Sequence, residues 1–169
     1  MTRPTRTGGF TLVELMVALA VLGILAAIAA PSLGTFVVNQ RVKTEAANLF
    51  ADLNYARAEA IKRNGRVWVR PNDGNWENGW VIVADGATSY DSCRTTPNNT
   101  DCVRLKSAIE GLSITGPDLL IYERSGRLST TGATIELCNT TGGAFQRTIR
   151  IDLSGRPNLA LGDNCEASS

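Results

Sequence analysis

One carboxylate, Glu14, stands near the start of a run that is otherwise uncharged from Phe10 to Ala30. An ionisable side chain in hydrocarbon is costly, so it is read as a contact site whose partner has to be named. A second chemical group is formed by four cysteines, Cys93, Cys102, Cys138 and Cys165. None lies in CxxC spacing, which disfavours a zinc ribbon or a dithiol redox centre. Two readings are left for them, disulfides in an oxidising compartment and buried thiols. The most local of the three possible connectivities is Cys93–Cys102 with Cys138–Cys165. The third group is arginine: Arg124 and Arg127 flank Ser125-Gly126, and Arg147, Arg150 and Arg156 follow. Clustered cations suit phosphate, and solvated strand residues are the plainer alternative. Arg147 and Arg150 face opposite sides of an alternating strand, so Arg156, at a turn, is the best single candidate for a phosphate contact.

The chain has no histidine, and thus neither the commonest general base nor the commonest metal ligand. No phosphate loop, metal-ligand spacing or activated nucleophile is present. The expectation is that the protein is not an enzyme and uses no cofactor and no metal. A formal net charge of +1 excludes a global basic field, so any nucleic-acid role rests on a local patch.

The elements that would position these groups are legible from periodicity. At about 1.5 Å per residue, the run from Phe10 to Ala30 is long enough as a helix to span a hydrocarbon core of about 30 Å. Arg3 and Arg6 precede it, which orients the N-terminus to the cytoplasm and the rest of the chain outside the inner membrane. A cleaved secretory signal is the competing reading, but its apolar core is shorter and has no use for a carboxylate. Beyond Pro31, Val38, Val42, Ala46, Leu49, Phe50, Leu53, Ala56, Ala60 and Ile61 recur in helical steps, with Arg41, Lys43, Asp52, Arg57, Glu59 and Lys62 placed largely off that face. Asn64-Gly65 should end the helix.

From Arg66 the period becomes two. The segments RVWVR, GWVIVAD, VRLKS, GLSITG, LLIYERSGRLS, ATIELCN and RTIRIDLSGRPNLAL read as short strands parted by Gly, Asn and Pro turns. Turns are expected at Asp73 to Asn75 and at Ser125-Gly126, and Trp68, Trp76 and Trp80 are read as packing residues. The expected fold class is α+β, one long N-terminal helix packed on an antiparallel sheet.

The stretch GGFTLVELMVALAVLGILAAIAAP resembles the class III signal of type IV pilins and type II secretion pseudopilins. It matches at Gly9, Phe10, Thr11, Leu12 and Glu14, and Pro31 falls where pilins carry a helix-kinking proline. The resemblance implies a leader, residues 1–9, cut after Gly9 by a prepilin peptidase that N-methylates Phe10. It also implies a transmembrane and assembly helix at 10–31, an amphipathic helix at 32–64, and a periplasmic or extracellular β-rich domain at 65–169. Glu14 would then pair with the free α-amine of a neighbouring subunit during assembly.

YARAEAIKRN, leading into strands with the pair Gly79-Trp80, is similar to the minor pilins and pseudopilins that include GspH, FimT and FimU. This implies a low-abundance subunit that primes or caps a type IV pilus or a type II secretion pseudopilus. Its implied partners are other major and minor pilins, the peptidase and an inner-membrane assembly platform. FimT-type members add binding of double-stranded DNA for transformation through a Gly-Arg-x-Arg motif. Here Gly155 and Arg156 match that motif, but Pro157 and Asn158 follow, so the second arginine is missing.

Overall fold

A computed structural model describes residues 11–84, 93, 95, 101–139 and 146–162, with the side chains at 28–33 and 35 outside the description. The chain divides into two compact units, Met1–Val37 and Val38–Ser169. One helix, α1, Leu12–Arg63, supplies secondary structure to both and runs through position 31 without interruption.

In the first unit the side chains from Leu12 to Ala27 are all exposed, including Leu12 at 74%. A helix that is apolar on every side is suited to an apolar surrounding. Among the described residues no helix is long and apolar enough to cross a membrane, and the described side chains of the run stop at Ala27.

The second unit is built on the other half of α1. Val42, Ala46, Leu49, Leu53, Ala56 and Ala60 are fully buried, in the three- and four-residue steps of one helix face. The helix ends in a Schellman motif: the Gly65 N–H donates to Ala60 O and the Asn64 N–H to Ile61 O, both at 3.1 Å. Asn64 takes the left-handed conformation the motif requires, with φ 49°.

Among the described residues eight strands follow: β1 (Val67–Asn72), β2 (Asn75–Ala84), β3 (Cys102–Leu105), β4 (Leu112–Thr115), β5 (Leu120–Tyr122), β6 (Ala133–Asn139), β7 (Gln146–Ile151) and β8 (Pro157–Leu161). The antiparallel sheet expected from the alternation is realised as two four-stranded sheets, ordered β3-β2-β1-β5 and β4-β6-β7-β8. The last extended segment of the sequence breaks at Asp152–Gly155 into β7 and β8, with Ile151 paired to Pro157. The β1–β2 hairpin turns at Asp73-Gly74, whose φ values of 52° and 76° give the primed turn that suits strand twist.

Both sheets contribute to one core with the helix face: Val67, Val69 and Ile82 from the first sheet, and Ile135, Leu137 and Ile149 from the second. Trp80 is fully buried and Trp76 nearly so, its Nε1 donating to Pro117 O at 3.0 Å; Trp68 is half-buried. Gly79 explains the Gly-Trp pair. Its φ is +86°, and a Cβ there would lie 2.1 Å from Lys106 O. Only glycine lets the 106–107 backbone come close enough for the Lys106 N–H to donate to Trp80 O at 2.8 Å.

Two residues depart from the amphipathic reading of the helix. Asp52 and Glu59, expected largely off the apolar face, are 5% and 4% exposed. Each sits beside a core position, and each is buried with partners rather than alone, as a desolvated carboxylate requires. Asp52 accepts the Trp80 Nε1–H at 2.9 Å and an ion pair from Arg104. Glu59 is held by Arg63 at 2.6 Å and Lys62 at 3.4 Å.

Candidate functional site

The apolar segment begins with a reciprocal cap. Thr11 Oγ1 accepts the Glu14 N–H at 3.2 Å, and Glu14 Oε2 accepts both the Thr11 N–H and the Thr11 hydroxyl at 3.3 Å. This is a capping box, Thr-x-x-Glu, which satisfies donors that a helix N-terminus otherwise leaves open. It is present in the sequence as Thr11-Leu-Val-Glu14 and gives the carboxylate a partner within its own chain. Gly9 and Phe10 lie outside the described residues.

Cys93 and Cys102 form a disulfide with a sequence separation of 9. Cys93 is fully buried against Val81 and Val83, with Trp68 packed alongside. The bond therefore ties the start of β3 to the first sheet as well as closing a loop. Cys138 is also disulfide-bonded, and Cys165 lies outside the described residues.

The arginines are brought together by two turns that touch. In the first, the Gly126 N–H donates to Glu123 O at 2.7 Å and the Glu123 N–H to Arg127 O at 2.8 Å. In the second, Asp152 Oδ1 accepts the Ser154 hydroxyl at 2.5 Å, the Ser154 N–H at 2.9 Å and the Arg156 N–H at 3.4 Å. The Ser154 hydroxyl bond, with the Arg156 and Ser154 N–H groups behind it, holds the Asp152 carboxyl below its ordinary range. A Cβ at Gly155 would lie 2.0 Å from Gly126 O. From below, half-buried Arg57 donates its Nε–H to that same oxygen at 3.0 Å.

Arg124, Arg127 and Arg156 are thus exposed on apposed turns. Arg150 is exposed two residues before the second turn and pairs in register with Asn158. Arg147, half-buried, belongs to the face of β7 that carries core residues Ile149 and Ile151. The structure therefore separates Arg147 from Arg150, as strand alternation requires. Nothing local in the sequence signals that Gly126 and Gly155 meet.

A further groove is lined by Arg41, Glu45 and the segment from Leu105 to Glu110. Within it Lys106 pairs with Glu45 at 2.8 Å, and Arg41 donates to the Glu110 backbone carbonyl at 3.1 Å.

The fold is shared with solved structures. The type IV minor pilin FimU of Pseudomonas aeruginosa is 20% identical, with a TM-score of 0.61, over 78% of this chain and 99% of that one. The minor pseudopilin EpsH from the type 2 secretion system of Vibrio cholerae is 16% identical, with a TM-score of 0.52, over 73% of this chain and 97% of that one. No curated protein matches the sequence. A prokaryotic N-terminal methylation motif matches residues 4–30, and the model of the family described as type II transport protein GspH matches residues 45–155. With most of its length, from the amphipathic half of α1 to Gly155, accounted for in this way, the chain belongs to the GspH family, a pilin-like family of filament subunits.

Proposed function

We propose that this chain is a minor subunit that primes or caps assembly of a type IV pilus or a type II secretion pseudopilus. The single observation that carries the reading is the joining of two features in one chain. The helix from Leu12 to Ala27 exposes apolar side chains on every side behind a capped Glu14, and the second unit has the pilin-like fold. In this account the prepilin peptidase cuts after Gly9 and methylates Phe10. Residues 10–31 hold the subunit in the inner membrane with Arg3 and Arg6 in the cytoplasm, and an assembly platform passes it into a filament with other pilins. Glu14 serves as the contact to the neighbouring subunit's α-amine. Pro31 bends the helix on its way out of the membrane.

The test is immunoblot sizing and fractionation of a Gly9→Leu variant. The proposal expects an uncleaved precursor stranded in the inner membrane. Normal processing of that variant would remove the class III reading.

A second reading, capture of double-stranded DNA at the filament tip, is favoured by one observation: Arg124, Arg127 and Arg156 stand on turns in backbone contact. It is tested by titrating DNA onto the oxidised protein at two salt concentrations. Salt-sensitive binding that weakens in Arg156→Ala supports it, and no binding at low salt overturns it.

A further inference from the structure

A carboxylate that is to meet a cation only on assembly has first to be kept satisfied and correctly aimed within its own subunit. Among the described residues around Glu14, the one placed to do both is Thr11. Its backbone N–H and hydroxyl converge on Oε2, both at 3.3 Å, while its Oγ1 takes the Glu14 N–H at 3.2 Å. Oε1 stands outside this ring of bonds on an exposed side chain. The three contacts are long, so they form a light hold compared with a charge-assisted bond from an ammonium donor. In hydrocarbon, where no water satisfies open donors, the same ring also accounts for the N–H groups of Thr11 and Glu14.

We propose that Thr11 is the positioning residue for Glu14: it keeps Oε2 within the subunit so that Oε1 is presented to the cation of the next one. The inference rests on the assembly role given to Glu14 above and adds a second residue to that contact. The hydroxyl is the working group, because it alone both donates to the carboxylate and accepts from the Glu14 amide. Serine should therefore replace threonine, and valine, of the same shape but with no hydroxyl, should not.

The experiment uses the full chain in cells, with the ratio of subunit in sheared filaments to subunit in membranes as readout, and processing followed by immunoblot. Thr11→Val is expected to lower incorporation about fivefold, the order of a lost helix cap, and Thr11→Ser to change it less than about twofold. The substitutions are repeated in a Glu14→Gln background, which keeps an acceptor but removes the charge. If Thr11 acts through the carboxylate, Thr11→Val adds nothing there. An equal loss in both backgrounds makes Thr11 a helix cap only and overturns the inference. Wild-type incorporation of Thr11→Val beside impaired Glu14→Val overturns the inference alone, whereas wild-type incorporation of Glu14→Val overturns the assembly reading itself. Independently of processing, hydrogen exchange of the Glu14 amide in detergent-solubilised full chain is expected to quicken about fivefold in Thr11→Val, and unchanged exchange contradicts the inference.

Discussion

Gly155 rests on Gly126: a side chain at Gly155 would begin 2.0 Å from the Gly126 carbonyl oxygen and 3.2 Å from the Tyr122 ring. Two turns remote in sequence are thereby joined at their backbones, and Arg57 from the helix binds the shared carbonyl at 3.0 Å. The contact makes one rigid feature of the β5–β6 connection, the β7–β8 turn and the C-terminal part of α1. It also fixes where Arg124, Arg127 and Arg156 stand.

Gly155→Ala should therefore destabilise the folded domain by about 2–4 kcal/mol, combining a left-handed backbone with a clash against backbone that has nowhere to move. Gly74 has the same φ, +76°, but open space around it. Gly74→Ala should lose only about 1 kcal/mol, the conformational part alone. Urea denaturation of both variants checks the pair, and equal losses would show that the apposition contributes nothing.

Asp52 joins α1 to both a tryptophan and a strand. Asp52→Ala would leave the buried Trp80 Nε1–H unpartnered and Arg104 without its carboxylate, for a loss of about 2–4 kcal/mol. Asp52→Asn keeps an acceptor for the indole and should lose less, about 1–2 kcal/mol. The ordering of the two denaturation midpoints is the measurement. Equal midpoints would place the stabilisation in the ion pair rather than in the indole bond.

Acid should weaken the domain in a way that Glu59 reveals. Its hydrogen bond from Arg63, partly opposed by burial and helped by Lys62, lowers its pKa in the folded state. A group whose folded pKa is depressed adds stability above its unfolded pKa, and that stability is lost as pH falls through the folded value. Stability should thus hold above about pH 5 and fall below it, with Asp152 contributing in the same direction. Glu59→Gln should flatten the slope of the urea midpoint against pH. An unchanged slope would exclude Glu59 as a source of the acid sensitivity.

The Cys93–Cys102 bond closes a loop of separation 9, for which chain entropy gives about 2–3 kcal/mol. Cys93→Ser with Cys102→Ser should lower stability by that amount and loosen β3, the edge strand that begins at Cys102. Faster amide exchange confined to β3 and its neighbours on β2 is the expected signature. A uniform change across both sheets would point instead to a role in the whole core.

Much of this architecture was legible because its signals are local. Asn64-Gly65 ends a helix and Asp73-Gly74 turns a hairpin by backbone chemistry that needs no distant partner. Alternation gave the strands for the same reason. What periodicity could not show was pairing at a distance. Asp52 looks like a surface charge until Trp80 and Arg104, remote in sequence, are brought against it. The division into two sheets, and the meeting of Gly126 with Gly155, depend on contacts between segments remote in sequence. The Thr11–Glu14 box is local, and its Thr-x-x-Glu spacing is legible in the sequence.

On the proposed function, the capped carboxylate in the apolar helix serves to build a filament. The most direct test is mass spectrometry of the sheared filament fraction from cells expressing the wild type and Glu14→Val. The prediction is a wild-type chain that begins at N-methylated Phe10 in the filaments, and a variant that is cleaved but stays in the membrane. A Glu14→Val chain that enters filaments at the wild-type level, or a wild-type chain missing from them, would contradict it.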